Sequence, residues 1–188
     1  MPIPGRRIAV VGPSGSGKTY VAKALAARLG LQYVCNDELI WRPHWTPTPE
    51  DERLALHVAA LAGDAWTFDG NFGSLAKPED RHVLARIDTL VWLDLPRWRV
   101  FVQLLWRTVR RAVTREELWH GNRESFRLSF LSRDSILWWS MKSYRRRRQE
   151  YARMFADPAL AHLRRVRLRS RREVDAWLAS IGDGRPMG

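Results

Sequence analysis

A glycine-rich stretch near the start of the chain has the residue types and the spacing of a phosphate-binding loop. It fits the pattern G-x-x-x-x-G-K-[ST] at each fixed position and consists of Gly12, Pro13, Ser14, Gly15, Ser16, Gly17, Lys18 and Thr19. Glycines let the backbone curl until successive N–H groups face one phosphate, and the following helix adds its positive N-terminal end. Lys18 supplies a cation for the β- and γ-phosphates, and the Thr19 hydroxyl is suited to Mg²⁺. The loop therefore predicts binding of a nucleoside triphosphate, ATP, with Mg²⁺.

A magnesium ion at Thr19 usually needs a nearby acid at the end of an adjacent strand. Asp69 is placed for this, because it ends an apolar stretch and Gly70 lets the backbone turn away beneath the nucleotide. The alternative for Asp69 is a simple turn residue. Asp94 also ends an apolar stretch, but a proline and a helix follow at once, so a helix-capping role is favoured there. We therefore predict Thr19 and Asp69 as the metal ligands.

Two adjacent carboxylates, Asp37 and Glu38, open the stretch NDELIWRPHW. They follow a short apolar run that predicts a strand, and the carboxyl edge of an open α/β sheet faces the ligand crevice. A carboxylate at that edge can accept the proton of an acceptor hydroxyl, or orient it, in line with the γ-phosphate. We expect Asp37 to have this role, with Glu38 as the second choice.

The same stretch contains two tryptophans and an arginine that could contact a substrate. Trp41 and Trp45 could offer flat faces to a base or sugar, and Arg42 could hold an anionic group. The alternative is that both tryptophans pack beneath a loop and Arg42 is solvated. Further along, Arg81 or Arg86 could serve the acceptor instead.

Arginines in the second half of the chain could close over the transferred phosphate. The candidates are Arg107, Arg111, Arg115, Arg123 and Arg127. Arginine offers fixed, permanently charged donors to the equatorial oxygens, and a closing segment excludes water. Arg123, beside a Gly-Asn pair, is our first choice as a catalytic residue together with Lys18 and Asp37, although each arginine could equally be solvated. The RRRR run at 145–148 is either a solvated helix surface or a nucleic-acid contact.

Apolar periodicity predicts strands alternating with helices. The expected strands are 7–11, 31–35, 65–68, 89–93 and 164–168, and the expected helices are 20–29, 48–62, 98–114, 133–155 and 173–181. Thr48 is the expected N-cap of the second helix, and Val102, Leu105, Val109 and Ala112 form the apolar face of the third. Connections too long for hairpins imply a parallel sheet with right-handed crossovers. The prediction is a single α/β domain, 1–188.

Length and composition favour a soluble globular domain. The chain has 188 residues, of which 45% are hydrophobic and 28% charged, and it contains ten Trp. No apolar run approaches the roughly 18 to 20 residues that span a bilayer. The single cysteine, Cys35, excludes a disulfide framework and a thiolate zinc cluster. We expect a cytoplasmic protein that does not contact membranes.

The net charge of +12 is unevenly distributed. Residues 97–172 contain 21 basic and six acidic side chains, a net charge of +15, whereas the remainder of the chain carries −3. A segment this basic favours a polyanionic partner, either nucleic acid or the phosphates of a nucleotide.

With these motifs in this order, the chain resembles the small P-loop kinases of the adenylate kinase-like group. More narrowly, it resembles the bacterial DNA topology modulation (FlaR-related) proteins. The resemblance covers nearly the whole chain. Its matching segments are the phosphate loop, Asp37-Glu38-Leu39 with Trp41, Asp69-Gly70-Asn71, Asp94-Leu95-Pro96, residues 121–125, and Leu168-Arg169-Ser170 with Val174.

The resemblance implies a three-layer P-loop fold with a five-stranded parallel sheet of order 2-3-1-4-5. It also implies an acceptor site beyond strands two and three, and a helical lid at about 107–132. After Asp69-Gly70 the chain has Asn71-Phe72 where adenylate kinases have Phe-Pro-Arg. The resemblance therefore does not specify AMP as the acceptor.

Two functional hypotheses follow. The first is a Mg-ATP-dependent phosphotransferase acting on a small acceptor such as a nucleoside or nucleotide. The second is an ATP-binding, nucleic-acid-binding protein that uses its basic region, 97–172. The combination of a carboxylate at the crevice and a lid favours the kinase, because a simple binding protein needs neither. No helix-turn-helix or zinc-finger pattern supports the second hypothesis.

Overall fold

A five-stranded parallel sheet forms the centre of the computed structural model, which describes residues 4–71, 77–114, 116–123 and 136–182. Labelled in chain order with a separate small hairpin included, the strands are β1 (Arg7–Val11), β2 (Gln32–Cys35), β5 (Trp66–Asp69), β6 (Thr89–Leu93) and β7 (Arg164–Leu168). They lie in the order β2-β5-β1-β6-β7, and each neighbouring pair is parallel. The predicted α/β class is confirmed. The labels differ from the predicted 2-3-1-4-5 because that order counts the sheet strands alone.

Helices cover both faces of the sheet. They are α1 (Lys18–Leu29), α2 (Asn36–Ile40), α3 (Glu50–Ala60), α4 (Pro78–Arg86), α5 (Arg97–Thr114), α6 (Ile136–Ala156) and α7 (Arg171–Ser180). On one face, Ala9 and Val11 of β1 belong to a core cluster with side chains from α4 and α6. On the other face, Ile8 and Val10 pack with α1 and α7. This alternation produces three layers and explains why β1 is apolar at successive positions.

Two tryptophans within the strands, Trp66 and Trp92, lie in the core. Trp66 is 0% exposed and Trp92 is 1% exposed, and Trp92 packs against Tyr151 and Phe155 of α6. Burial of large aromatic side chains contributes strongly to the stability of such a core. Among the described residues, none of the helices is both long and apolar enough to cross a bilayer.

The segment after β2 contains regular structure that the sequence analysis did not predict. It forms the short helix α2 and then an antiparallel hairpin of β3 (Trp41–Arg42) and β4 (Thr46–Pro47), closed by a 3-10 turn at Pro43–Trp45. Helix α4 was also not predicted. The expected lid region, 107–132, is described only to residue 123. It contains the end of α5, a bridge between Glu117 and Arg123, and a 3-10 turn at Trp119–Gly121.

Two local predictions about helices are wrong. Helix α3 begins at Glu50 with Pro49 as its N-cap residue and no side-chain cap, while Thr48 is buried and donates its backbone N–H to Ile40 O. On α5 the buried residues are Val100, Leu104 and Thr108, whereas Val102 is 43% exposed. The buried face of α5 packs on the phosphate loop and on α6. Its orientation therefore depends on long-range contacts that helical periodicity does not reveal.

Asp94 does not act as the helix cap that the sequence favours. Its carboxylate is buried and accepts hydrogen bonds from two arginines, with Arg148 Nε at 2.7 Å from Oδ1 and Arg167 Nη2 at 2.5 Å from Oδ2. The Arg167 guanidinium also lies over the Trp92 ring, 4.3 Å from its centroid. This network joins the end of β6 to β7 and α6.

We predict that Asp94→Ala lowers the free energy of unfolding by about 1–3 kcal/mol, because two arginines lose a buried acceptor. Asp175→Ala is the matched control, since it removes a half-exposed partner of Arg171 on α7, and it should cost about 1 kcal/mol or less. Urea denaturation followed by circular dichroism measures both. Equal losses in the two variants would contradict a structural role for the Asp94 network.

Candidate active site

The phosphate loop connects β1 to α1 with two glycines in the left-handed region. Gly15 has φ +86°, and a Cβ there would lie 2.7 Å from both Leu104 Cβ and Val100 O of α5. Gly17 has φ +91° and is the N-cap residue of α1. Other residues would be strained at these positions. Helix α5 therefore supports the loop from behind, and the glycine pattern reflects this contact as well as phosphate binding.

Lys18 lies at the start of α1 and turns back over the loop. Its Nζ donates a hydrogen bond to Pro13 O at 3.3 Å. Burial is the main cause that lowers the pKa of Lys18, whereas the negative charges of Asp69 and Asp37 act in the opposite direction. The ammonium group is therefore held near both carboxylates that the sequence predicts as functional.

The structure brings the two predicted metal ligands into direct contact. Thr19 Oγ1 donates a hydrogen bond to Asp69 Oδ2 at 2.6 Å, and Tyr33 OH donates to the same oxygen at 3.0 Å. Burial is the main cause that raises the pKa of Tyr33, and Asp69 adds to it. A hydroxyl and a carboxylate beside a phosphate loop are the oxygen ligands that Mg²⁺ accepts, with phosphate oxygens and water completing its shell. The residues present fit a Mg-nucleotide.

Asn71 connects the phosphate loop to another part of the structure. The sequence analysis names this residue only within the segment Asp69-Gly70-Asn71. Its Oδ1 accepts hydrogen bonds from the backbone N–H of Gly12 at 3.1 Å and from Tyr151 OH at 2.7 Å. Tyr151 is 1% exposed, and burial raises the pKa of its hydroxyl, which therefore stays protonated and donates. Asn71 thus connects α6 to the first residue of the phosphate loop.

Asp37 lies on α2, immediately after β2, and faces the same space as Lys18. Water reaches its side chain through the cavity, but protein encloses the carboxylate enough for burial to be the main cause of a raised pKa. The positive charges of Lys18, Arg107 and Arg111 act in the opposite direction. Asp37 is therefore a carboxylate surrounded by cations, at the carboxyl end of the sheet where the sequence places it.

A cavity of about 920 Å³ contains these groups. The phosphate loop and the end of β5 form one wall, and α2, the hairpin, α4, α5 and α6 form the others. Its volume lies within the range of sites that enclose small ligands. The cavity therefore has room for a nucleotide phosphate tail and a small second molecule side by side.

The predicted lid arginines separate into two groups. Arg107 and Arg111 extend from α5 into the cavity, and Arg147 of the RRRR run reaches it from α6. Arg123 also lines the cavity, but its side chain is 57% exposed and lies 3.3 Å from Glu117. Arg115 and Arg127 lie outside the described residues. Sequence reasoning did not single out Arg147, because four consecutive arginines give no signal of which one points inward.

The segment 116–123 is fastened to the hairpin. Asn122, only 4% exposed, donates from Nδ2 to Arg42 O at 2.9 Å and accepts from Trp45 N at 2.9 Å. His120 Nε2 lies 3.0 Å from Glu38 O. Residues His120 and Trp45 have positive φ values of 56°, which is a strained conformation for side chains of this size. These contacts hold one side of the cavity shut.

The tryptophans of the hairpin pack against each other and also line the cavity, so contact with a substrate stays a prediction. Trp41 and Trp45 pack edge to face, with ring centroids 5.9 Å apart, and both line the cavity. Arg42 forms an ion pair with Glu52 of α3 and does not line the cavity. Arg81 and Arg86 do not line it either, and Arg86 donates to the backbone oxygens of Ala62 and Gly63.

The cavity wall also contains a thiol, Cys35, that is not activated. Burial raises the pKa of Cys35 to about 11, so it stays protonated at neutral pH and is a poor nucleophile. His57 is buried, with Nδ1 2.7 Å from Arg53 O and Nε2 2.9 Å from Asn36 Oδ1. Neither residue has the environment of a reacting group.

Solved structures with the same fold include two small-molecule kinases. The chain is similar to the shikimate kinase of Acinetobacter baumannii in complex with shikimate, with a TM-score of 0.55, 17% identity, and coverage of 93% of this chain and 89% of that one. It is also similar to a gluconokinase of Sinorhizobium meliloti 1021, with a TM-score of 0.51, 18% identity, and coverage of 97% and 95%. At these identities the likeness establishes the fold alone.

A sequence relative is similar over part of the chain. A shikimate kinase of Symbiobacterium thermophilum is 34% identical over 98 residues, which cover 46% of this chain and 56% of the relative. The match thus spans about half the length of each protein. No protein-family profile matches the chain.

The Asn71 link generates a stability prediction. Asn71→Ala should lower the free energy of unfolding by about 1–3 kcal/mol, because the buried Tyr151 hydroxyl loses its acceptor. Tyr151→Phe should cost less in the Asn71→Ala background than in the wild-type chain, because both partners are then absent. Urea denaturation of the four proteins measures this coupling, and strictly additive losses would contradict it.

Proposed function

We propose that this protein is a Mg-ATP-dependent phosphotransferase that acts on a small acceptor carrying a hydroxyl or phosphate group. The observation that carries the proposal is the position of Asp37, which shares one cavity with Lys18 of the phosphate loop and lies close enough to influence its pKa. A purely nucleotide-binding protein has no need of a carboxylate facing the end of the phosphate tail. Similarity to proteins named shikimate kinase and gluconokinase supports the same reaction class.

Some residues of the cavity bind the nucleotide and its metal ion, and others act in the transfer step. Backbone N–H groups of the loop between Ser14 and Thr19 hold the phosphates, and Lys18 neutralises charge at the β- and γ-phosphates. Thr19 and Asp69 hold Mg²⁺, which supplies further neutralisation of the phosphate charge when it is bound. Tyr33 fixes the orientation of the Asp69 carboxylate through its 3.0 Å hydrogen bond.

Asp37 acts on the acceptor. In its ionised form it orients the acceptor hydroxyl in line with the γ-phosphate and accepts its proton as transfer proceeds. Enclosure in the cavity raises the pKa of Asp37, and a higher pKa makes the carboxylate a better base at neutral pH. Glu38 is exposed, as Asp37 is, and it also lines the cavity, so it remains the second choice for this role.

The arginines stabilise charge that develops on the transferred phosphoryl group. The sequence favours Arg123, but its side chain is 57% exposed and lies 3.3 Å from the carboxylate of Glu117. Arg107 and Arg111 lie closer to the reacting groups, as their effects on the pKa of Asp37 indicate. We therefore propose Arg107 and Arg111 as the main stabilising cations. Arg123 lies at the end of the segment 116–123 and contributes less.

The proposal concerns the chemical class of the acceptor and leaves the individual compound to be tested. Nucleosides and nucleotides fit the tryptophan faces of Trp41 and Trp45, which can stack on a base or a sugar. The names of the relatives add shikimate and gluconate, small hydroxylated acids, to the acceptors worth testing. The arginines around the cavity suit an acceptor that carries an acidic group beside its hydroxyl.

The alternative function is nucleic-acid binding through residues 97–172. Less of the basic charge in this region is available for it than the sequence suggests, because several arginines have other partners. Arg107, Arg111 and Arg147 line the cavity, and Arg148 and Arg167 pair with Asp94. The excess of positive charge in this region therefore serves the site and the core in part.

Two carboxylate variants separate transfer from nucleotide binding. Asp37→Asn should leave ATP affinity near wild type and lower transfer to the acceptor by about 10²-fold, the scale of losing a positioned acid or base. Asp69→Asn should lower transfer and background ATP hydrolysis together and raise the Mg²⁺ requirement, because every reaction of bound ATP shares the metal. Coupled ATP-consumption assays with an acceptor panel measure these rates.

Glu38→Gln is the matched control, since it removes a neighbouring carboxylate of the same helix. It should change transfer by less than about threefold if Asp37 carries the role. Equal losses of transfer and hydrolysis in Asp37→Asn would place Asp37 with the metal, and a larger loss in Glu38→Gln would exchange the two assignments.

The raised pKa of Asp37 determines the pH below which the rate of phosphoryl transfer falls, the acid limb of the pH profile. A base must be ionised to act, so transfer should fall as the pH drops through the pKa of Asp37, at a pH above that of an ordinary aspartate. The profile of kcat/KM measures the free enzyme, and Asp37→Asn should remove this limb. A limb unchanged in Asp37→Asn would contradict the assignment.

A further inference from the structure

A second concave site lies on the face of the sheet opposite α1, between α6 and the edge strand β7. Its volume is about 560 Å³, and Trp92 and Tyr144 form part of its floor. Trp92 belongs to the core cluster of the α4 and α6 face, whereas the phosphate loop leads into α1 on the other face. The groove shares no lining residue with the large cavity.

Four arginines surround this groove. They are Arg97, Arg145, Arg148 and Arg167. Asp94 lies behind them as a buried carboxylate that pairs with two of the four. Positive charge predominates among these four arginines and Asp94, and the kinase proposal does not use it. Arg145 is exposed and forms no hydrogen bond or ion pair with the described part of the chain.

The paired arginines are held in fixed positions. Arg148 and Arg167 each bind Asp94 through Nε and Nη2, which leaves the Nη1 group of each available for another acceptor. The Arg167 guanidinium rests on the Trp92 ring, and Tyr144 OH donates to Leu95 O at 2.7 Å beneath the groove. A guanidinium already fixed in place loses less conformational entropy when it binds an anion.

We propose that this α6–β7 groove binds a polyanion through its phosphate groups. Guanidinium groups donate to phosphate oxygens, and the two fixed Nη1 groups with Arg97 and Arg145 around one depression suit a ligand with consecutive phosphates. Gln149 adds an amide donor at the rim. The phosphates belong either to a free polyphosphate compound or to a nucleic-acid backbone, since both present the same oxygens.

The test uses the full chain carrying Lys18→Ala, which weakens phosphate binding at the loop. Inorganic tripolyphosphate is titrated calorimetrically at low salt. In that background Arg145→Glu should weaken binding at least fivefold. Arg153→Glu is the matched control, because Arg153 is exposed on the same helix, undergoes the same charge change, and does not line the groove. It should change affinity less than twofold.

A single-stranded oligonucleotide, titrated in the same variants, identifies the source of the phosphates. An oligonucleotide that competes with tripolyphosphate and shows a steep salt dependence assigns the groove to a nucleic-acid backbone. Tripolyphosphate binding without oligonucleotide binding assigns it to a free compound. Equal losses of affinity in Arg145→Glu and Arg153→Glu would show that only diffuse surface charge is involved, and this would overturn the proposal. The absence of binding of both probes would also overturn it.

The proposal does not depend on phosphotransfer. Its measurements use a chain whose phosphate loop is weakened, and wild-type transfer activity is assayed separately. The experiments therefore distinguish a protein that transfers phosphate but binds no anion at the groove from one that binds anions there but does not transfer phosphate.

Discussion

The hydrogen bond of 2.6 Å between the Thr19 hydroxyl and Asp69 joins the first turn of α1 to the end of β5. A second bond, from Gly12 N to Asn71, fastens the start of the loop to the residue that follows the same strand. Both ends of the phosphate loop are therefore fixed to the carboxyl end of β5, the parallel neighbour of β1. This attachment places Lys18 beside Thr19 and Asp69, the two proposed ligands of Mg²⁺.

The fold and the phosphate-binding half of the site could be predicted because their determinants are local. Short apolar runs specify buried strands, and the glycines of the loop are required by backbone angles at Gly15 and Gly17. The acceptor half could not be predicted in the same way. Asn122 meets Trp45 across 77 positions of the chain, and Asp94 meets Arg167 across 73, so neither contact leaves a periodic signal. Asp37 was found from its place at a strand end, and Arg147 was missed because burial of one arginine among four depends on α6 packing.

Positive charge has three distinct roles in the second half of the chain. Arg107 and Arg111 face the carboxylate of Asp37, Arg148 and Arg167 hold a buried Asp94, and Arg145 lies at the rim of a separate groove. Composition alone shows only the sum of these roles. Their separation explains how a kinase-like fold can be strongly basic without every arginine contacting its nucleotide.

We propose that ATP bound at the loop transfers its phosphoryl group to a small acceptor beside Asp37. ATP turnover with nucleosides, nucleotides, shikimate, gluconate and related compounds tests this proposal, with products identified by phosphorus NMR. We expect at least one compound to accelerate ADP formation and to become phosphorylated in an equal amount. ATP binding with no compound phosphorylated, and hydrolysis unchanged by each of them, would contradict it.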